Sequence, residues 1–387
     1  MDKRKSFRIF IPFIIFTFFW ASWEFFAPIF LSSKGLSLDQ VAIFFFISAI
    51  SGALTDIPCG DFSDKVGRKK AFILAMVLAI VMLITLRIVT DPILILALAI
   101  MDGLIYSFAW PAFLAYIGDT SNKGTRGKWF GNFFFLTDFG EVFAPLLIAV
   151  ILSFIALENV VFVIILLSAI SLAFFYGIKE KKDGKITDGL SGIFFGKGFG
   201  GYIEDIRHGG WPLFLFLLVG FNFAYLWEMI WFSEPFIGFS TDSLFQSALI
   251  VAFYSAPFLI FAKPIGNLID KSPKKKILLM ALATMAIAMY VFATSSSLII
   301  SFLSIFIASG ASLATMSVVD VAISDYYSKE KRGKFYGIIE TSKDIGFAVA
   351  PLIVAFIASK ENFNYVFLSS TALTGIIIVL VGVTKKI

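Results

Sequence analysis

Apolar runs of about 20 residues follow one another along almost the whole chain, separated by short polar stretches. A helix of that length crosses a bilayer and satisfies its own backbone hydrogen bonds, so alternating spans and short loops indicate helices rather than a barrel. We predict twelve membrane-spanning helices, at 9–31, 38–58, 71–90, 93–117, 129–153, 158–178, 211–233, 242–264, 276–294, 298–323, 335–358 and 362–383. The first is too long for a signal peptide and lacks a small-residue cleavage site.

The composition of the chain also indicates a membrane protein. Hydrophobic residues make up 59% of the 387 residues and charged residues 15%, and the mean hydropathy is +0.91. A soluble fold could not bury so much apolar side chain, which predicts an all-α membrane protein. The chain has no Gly-Lys-Ser/Thr phosphate loop, no nucleophile–base pair and no cluster of metal-ligand residues. We therefore expect no catalytic residues, no metal, no cofactor and no enzymatic activity.

The positive residues predict the orientation. If the N-terminus is cytoplasmic, 27 of the 32 Lys and Arg residues fall on the cytoplasmic side, and the outer loops hold only Lys34 and Lys360. This bias predicts a multi-pass protein of the plasma membrane with both termini in the cytoplasm. The net charge of +5 then reflects topology and needs no nucleic-acid partner.

The second half of the chain repeats the first at an offset of 206 residues. Around the fifth predicted helix, twelve of thirty positions recur, among them Asp138 as Asp344. We predict two homologous six-helix bundles in parallel orientation, at 1–178 and 211–387, joined by a cytoplasmic linker at 179–210. Parallel repeats characterise one large class of secondary transporter, whose substrate site lies between the halves near mid-membrane. We expect a monomer in the lipid bilayer.

Two polar stretches resemble a known family. The loop after the second predicted helix resembles the loop 2–3 signature of the major facilitator superfamily and reads Gly60-x-x-x-Asp64-Lys65-x-Gly67-Arg68-Lys69. The loop after the eighth resembles the shorter copy of that signature in loop 8–9 and reads Gly266-x-x-x-Asp270-Lys271. Helix count, repeat and loop positions extend the resemblance over the whole chain. It implies the fold of that superfamily.

The same resemblance implies a gate. In the family this loop is a cytoplasmic latch that stabilises the outward-open state, and charged contacts there exist in one conformation and not in the other. The implied gate motif comprises Gly60, Asp64, Gly67 and Arg68 in the first half, and Gly266, Asp270 and Lys271 in the second. The neighbouring lysines, at 69–70 and 274–276, are interpreted as positive-inside anchors.

The fifth helix carries a second family pattern. Gly140-x-x-x-Ala144-Pro145 resembles the antiporter motif of drug exporters, with Ala144 in place of a glycine, and Gly346, Ala350 and Pro351 repeat it in the eleventh helix. Exporters are therefore the most similar members, although small residues at this spacing also serve ordinary helix packing. The fourth helix departs from the exporter pattern, because Ala99 stands where exporters often have an arginine, close to Asp102.

Charged residues inside the spans are the candidate chemistry, because a charge at mid-membrane is costly unless it faces a partner or a water-filled cavity. Helices 6, 9 and 12 have none, and we expect these and helix 3 to face lipid. The candidate substrate or proton residues of the central cavity are Glu24, Asp102, Asp138, Glu141, Glu228, Glu340, Lys343 and Asp344. Five other acids, Asp56, Asp91, Glu234, Asp242 and Asp320, lie near the predicted surfaces and are interpreted as solvated or gating.

Glu24 and Glu228 occupy matching places beside Trp20 and Trp227. A carboxylate within aromatic walls suits an organic cation, and a desolvated carboxylate can exchange a proton for that cation. The alternative is that the aromatic residues only pack in the membrane. Glu340 and Lys343, three residues apart, can pair along one helix face, either as a structural ion pair or as part of a transport site.

Together these features predict a secondary transporter that works by alternating access and exports small amphipathic or cationic organic molecules in exchange for protons. Import of a sugar or other metabolite, recognised by polar residues such as Asn132, Asn222 and Gln246, is the first alternative. A lipid flippase and a non-transporting receptor on the same fold are the others.

Overall fold

The computed structural model describes residues 3–120, 126–177, 200–326, 329–358 and 362–384. Over these residues the chain forms twelve α-helices and no β-strand. The helices are α1 (Lys3–Ser33), α2 (Leu38–Val66), α3 (Arg68–Ile88), α4 (Pro92–Thr120), α5 (Arg126–Leu152), α6 (Leu157–Tyr176), α7 (Gly200–Ser240), α8 (Leu244–Lys271), α9 (Lys274–Thr294), α10 (Leu298–Tyr326), α11 (Lys329–Ala358) and α12 (Phe363–Val383). Each contains a stretch long and apolar enough to cross a membrane, which confirms the predicted all-α membrane fold.

The seventh helix begins earlier than the sequence predicts. It starts at Gly200, inside the segment 179–210 that is predicted as a linker, and it continues through a non-helical residue, Gly210, with φ 64° and ψ −164°. Glycine tolerates a positive φ without steric cost, so the chain changes direction there before the apolar part of α7. The predicted linker residues up to position 199 lie outside the described part of the chain.

The chain divides into two compact units, Met1–Lys197 and Gly198–Ile387. In the first unit α2 packs along α4, α1 packs on α5 and α6, and α3 packs on α4 and α6. Close approach at two crossings depends on glycine. A Cβ on Gly103 would lie 2.2 Å from the carbonyl oxygen of Ser48, and a Cβ on Gly140 would lie 2.8 Å from Cγ2 of Thr17.

The second unit uses the same crossings. Helix α7 packs along α11, α8 packs on α10, and α9 packs on α10 and α12. Gly346, the repeat equivalent of Gly140, faces α7, where a Cβ would lie 2.5 Å from the carbonyl oxygen of Phe221. One turn beyond each of these glycines, Ala144 and Ala350 are fully buried, and Pro145 and Pro351 follow them inside their helices.

Phenylalanine fills the centre of the first unit. The ring of Phe13 on α1 lies 4.6 to 5.9 Å from rings on four other helices, Phe72, Phe113, Phe133 and Phe175. All five side chains are buried. Large rings packed edge to face account for part of the high phenylalanine content, and they surround α1 with apolar contacts along its first half.

Candidate functional site

Asp102 on α4 is a buried carboxylate held by two neutral donors. Its side chain is 4% exposed. The indole Nε1 of Trp23 on α1 donates a hydrogen bond to Oδ1 at 2.7 Å, and the hydroxyl of Ser48 on α2 donates to Oδ2 at 2.7 Å. Short bonds of this kind fix the position of the carboxylate. The donors carry no net charge, so they leave the charge of an ionised Asp102 uncompensated.

Three further acids of the first unit are linked to Asp102 through Glu24. Glu24 on α1 interacts electrostatically with Asp102, and Glu141 on α5 interacts with both Asp138 and Glu24. All three are half-buried. In the described part of the first unit, no Lys or Arg forms an ion pair with any of these four acids. The structure therefore brings four predicted site residues from three helices into one cluster of like charge.

A row of half-buried aromatic rings continues from this cluster. The ring of Trp20, one turn before Glu24, lies 5.2 Å from the ring of Tyr106, which stacks on Trp110 at 5.7 Å and 15°. These three rings retain partial exposure, unlike the phenylalanines around Phe13. They therefore offer aromatic faces beside the carboxylates.

In the second unit, Glu228 is more enclosed than Glu24. It is 5% exposed, and its neighbour Trp227 stacks on Trp231 with ring centroids 6.0 Å apart and planes 10° apart. Trp227 also meets Tyr254 and Phe258 of α8 edge to face, at 5.4 and 5.3 Å. The two tryptophans therefore share one face of α7, and Trp227 packs against α8.

On α11 the predicted pair forms. Nζ of Lys343 lies 2.9 Å from Oε2 of Glu340 and 5.5 Å from the ring centroid of Phe223 on α7. Asp320 on α10, interpreted from sequence as solvated or gating, interacts electrostatically with both members of the pair. Asp344, one turn after Glu340, is half-buried. This second cluster therefore contains its own positive charge, unlike the cluster around Asp102.

The loop between α2 and α3 forms a compact polar junction around Arg68, which we name the Arg68 junction and define by Ser63, Asp64, Arg68 and Asp119. The guanidinium pairs with Asp64, donates to the hydroxyl of Ser63 at 2.7 Å, and lies 3.4 Å from Asp119 at the end of α4. The side chain of Arg68 is only 13% exposed. Gly67 has φ 114°, a conformation that favours glycine.

The corresponding loop of the second unit is described only in part. The side chain of Asp270 lies outside the described part of the chain. Lys271 is exposed, and a Cβ on Gly266 would meet nothing within 4 Å. In the first unit, Gly60 faces α4, where a Cβ would lie 3.9 Å from Cβ of Pro111.

At the other end of the first unit, Lys34 covers the end of α3. Its Nζ donates to the carbonyl oxygens of Arg87 and Val89, each at 2.9 Å. Arg87 pairs in turn with Glu158 on α6 at 3.3 Å. Burial and the nearby positive charge of Arg87 lower the pKa of Lys34, and Glu158 partly offsets this.

The interpretation of Glu234 as a solvated residue was wrong, whereas a gating role stays a prediction. Glu234 is expected near the outer surface as a solvated or gating residue, but its side chain is only 2% exposed. Helix α7 continues to Ser240 and packs against α8 at this level, because Gly238 lets Ser247 approach within 2.7 Å of where a Cβ would lie. Asp91, by contrast, is exposed and accepts bonds from two backbone amides of α4.

The polar residues considered for a sugar site differ in burial. Asn222 is buried and donates to the hydroxyl of Thr374 on α12 at 3.2 Å. Asn132 and Gln246 are exposed.

Sequence reasoning missed Trp23, Ser48 and Asp119. Trp23 adjoins Glu24, and Asp119 recurs in the repeat, so both carried a signal. Ser48 had none, because a serine in an apolar helix is common and its partner Asp102 is 54 residues away.

Twelve spanning helices in two repeated units, with carboxylates buried inside each unit, define a secondary transporter of the membrane. A family model described as Major Facilitator Superfamily matches residues 8–240 and 216–386, and the chain belongs to that superfamily. The predicted superfamily is therefore confirmed, whereas its exporter subtype stays a prediction. Comparison with curated protein sequences gives no match.

Solved structures share the fold at low sequence identity. The nucleoside transporter NupG is 12% identical, with a TM-score of 0.75, over 99% of this chain and 98% of that one. A D-xylose–proton symporter is 14% identical, with a TM-score of 0.70, over 97% of each chain. A bacterial homolog of the human lysosomal transporter Spinster is 15% identical, with a TM-score of 0.67, over 98% of this chain and 93% of that one.

Proposed function

We propose that this transporter exports small amphipathic or cationic organic molecules in exchange for protons, by alternating access. The observation that carries the proposal is the cluster of Glu24, Asp102, Asp138 and Glu141, in which no described basic side chain pairs with any of the four. A negative site of this kind favours a cation or protons over an anion.

The cluster also supports coupling. Several carboxylates close together in a medium of low dielectric cannot all be ionised without strong mutual repulsion, so the cluster binds either protons or a positive ligand. Entry of the organic cation then displaces protons, and entry of protons displaces the cation. Competition for one site is sufficient for exchange.

The aromatic row beside the cluster supports an organic ligand. Trp20 lies one turn from Glu24 on α1, and its partly exposed ring meets Tyr106, which stacks on Trp110. A cation over an aromatic face gains about 0.5 to 2 kcal/mol, and the rings also bind apolar parts of the ligand. Aromatic faces combined with carboxylates suit an amphipathic cation better than an inorganic ion.

The Arg68 junction is proposed as the cytoplasmic gate. Its guanidinium joins the end of α2 to the end of α4, so these contacts stabilise one arrangement of that end and must break in another. This role requires both termini in the cytoplasm of a plasma-membrane protein, as the distribution of Lys and Arg predicts.

The test is proton flux in proteoliposomes. A pH gradient is imposed, a panel of lipophilic cations is added, and wild type is compared with Glu24→Gln. We expect a cation to dissipate the gradient in wild type and not in the variant. Glu24→Gln is a cleaner change than Asp102→Asn, because an Asn amide nitrogen cannot accept the bond that Trp23 or Ser48 donates.

The matched control is Glu158→Gln, which removes an exposed carboxylate at the end of α6 and should leave the flux unchanged. Counterflow of a neutral sugar that survives Glu24→Gln, with no response to any cation, would overturn the exporter proposal. Loss of flux in the control as well would show that the effect of Glu24→Gln is not specific to the acid cluster.

A further inference from the structure

The contact between α7 and α8 contains a buried carboxylate that the proposed function does not use. Glu234 is 2% exposed, and its Oε2 makes no hydrogen bond within the described residues. One turn earlier on the same face of α7, Trp231 is 1% exposed, and its indole Nε1 also lacks a partner there. Buried polar atoms without partners are rare in folded proteins and require an explanation.

The register of the two helices places these groups inside the contact. Trp227 meets Tyr254 and Phe258 of α8, while Gly238 meets Ser247. Residue numbers rise along α7 as they fall along α8, so the helices are antiparallel, and Trp231 and Glu234 lie between the two contacts. Ser247 is within hydrogen-bonding reach of the Glu234 carboxyl. A hydroxyl is therefore the polar group that α8 presents to this acid.

Among the side chains that the structure describes, no charge compensates Glu234. Helix α7 packs against α8, α10, α11 and α12, and no charged side chain in their described parts interacts electrostatically with Glu234. On its own helix the nearest acid is Glu228, six residues away. The charged side chains described on the four neighbouring helices are Lys263, Lys271, Asp320, Glu340, Lys343 and Asp344.

The repeated fold does not require a buried acid at the position of Glu234. At the offset of 206 residues, Glu234 corresponds to Pro28 and Ser247 to Val41. The first unit therefore builds the equivalent crossing of α1 and α2 with no acid at this place. A costly buried carboxylate that the fold does not require indicates a function.

We propose that Glu234 is a proton-binding site of the second unit, separate from the acids around Asp102. Its carboxyl group holds a proton while the α7–α8 contact is closed. The O–H bond breaks when the contact admits water, the proton leaves to that water, and the carboxylate that remains accepts a bond from Ser247. The ligand is a proton rather than a metal cation, because one carboxylate and one hydroxyl supply too few oxygen ligands for a metal site.

This inference goes beyond the proposed function, since it holds for import and export alike. It is tested by infrared difference spectroscopy of the full-length protein in lipid, recorded between acidic and alkaline buffer without any transport substrate. Wild type should show the C=O stretching band of a neutral carboxyl disappearing in alkaline buffer. Glu234→Gln should lack one such component, and Glu234→Asp should retain it at a shifted frequency.

The acids of the first unit give bands of their own, so each variant is also made in a Glu24→Gln background. With the acidic buffer held at about pH 6, where an exposed carboxyl is already ionised, the matched control Glu158→Gln should leave the spectrum unchanged. A spectrum of Glu234→Gln identical to wild type would overturn the proposal. A band that responds to sodium in place of choline at constant pH would overturn it in favour of a metal cation. Neither outcome depends on transport, so failure here is distinct from failure of the exporter proposal.

Discussion

Removal of the Arg68 guanidinium should open the end of the first unit measurably. The side chain donates to Ser63 at 2.7 Å and pairs with Asp64 and Asp119. A hydrogen bond from a charged group contributes about 1.5 to 3 kcal/mol. The side chains of Asp64 and Asp119 are 60% and 66% exposed, so each pair adds only about 0 to 1 kcal/mol. We take about 2 kcal/mol as the loss in Arg68→Ala, which raises the open population about 30-fold.

The only cysteine of the chain reports this opening. Cys59 lies on α2 one turn before Ser63 and is 1% exposed. Burial, followed by the negative charge of Asp56, raises its pKa to about 12, and a hydrogen bond with Thr55 partly offsets this. Only a thiolate reacts with a maleimide, so the closed form is inert and the labelling rate follows the open population. Arg68→Ala should therefore label about 30-fold faster than wild type.

The pH dependence of the labelling rate shows whether Cys59 reacts in the open or in the closed form. A raised pKa means that the buried thiol stays protonated, and the labelling rate increases with pH as the thiolate fraction increases. Labelling through an open state should level off above about 8.5, the ordinary value for cysteine, whereas direct reaction of the buried thiol would continue to increase toward 12. Lys276→Ala, an exposed change in the second unit, is the control. An unchanged labelling rate in folded Arg68→Ala would refute the role of the Arg68 junction.

Three other changes test the packing and the site. Gly103→Ala places a Cβ 2.2 Å from a backbone oxygen and should destabilise the fold by about 3 kcal/mol or more. The measurement is thermal unfolding, and the control is Gly375→Ala, where a Cβ meets nothing within 4 Å. Trp23→Phe removes a bond to Asp102 worth about 1.5 to 3 kcal/mol and should slow cation–proton exchange about tenfold with normal expression. Glu158→Gln breaks the ion pair with Arg87, in which the Glu158 side chain is 71% exposed. The free energy of unfolding should therefore change by less than about 1 kcal/mol, and it should not change in high salt.

The sequence was sufficient to predict the membrane-spanning helices, because their length is set by the bilayer. Twelve helices follow from the length of the apolar runs, because a bilayer leaves the backbone few alternatives. The pairs Glu340–Lys343 and Trp227–Trp231 were also predictable, since residues three or four apart on one helix must lie side by side.

The sequence was not sufficient for contacts between helices. Asp102 and Ser48 meet because Gly103 lets α4 approach α2, and nothing in the pattern of either helix specifies that rotation. The burial of Glu234 was also not predicted, because its distance from the middle of the span was taken as a measure of its exposure. Its burial depends on Gly238 and on the extension of α7 to Ser240, and both act through the neighbouring helix α8.

The two units keep the same helix crossings while their acids have diverged. Gly103 packs on the backbone of Ser48, and at the equivalent positions Ser309 donates a hydrogen bond to the carbonyl oxygen of Tyr254. Asp102 corresponds to Ala308 and Glu234 to Pro28, so in each case the equivalent crossing of the other unit forms without the acid. A buried carboxylate costs stability wherever it is introduced. Acids at non-equivalent crossings therefore support the proposal of a separate proton site in each unit, and they predict that the losses caused by Glu24→Gln and Glu234→Gln are separable.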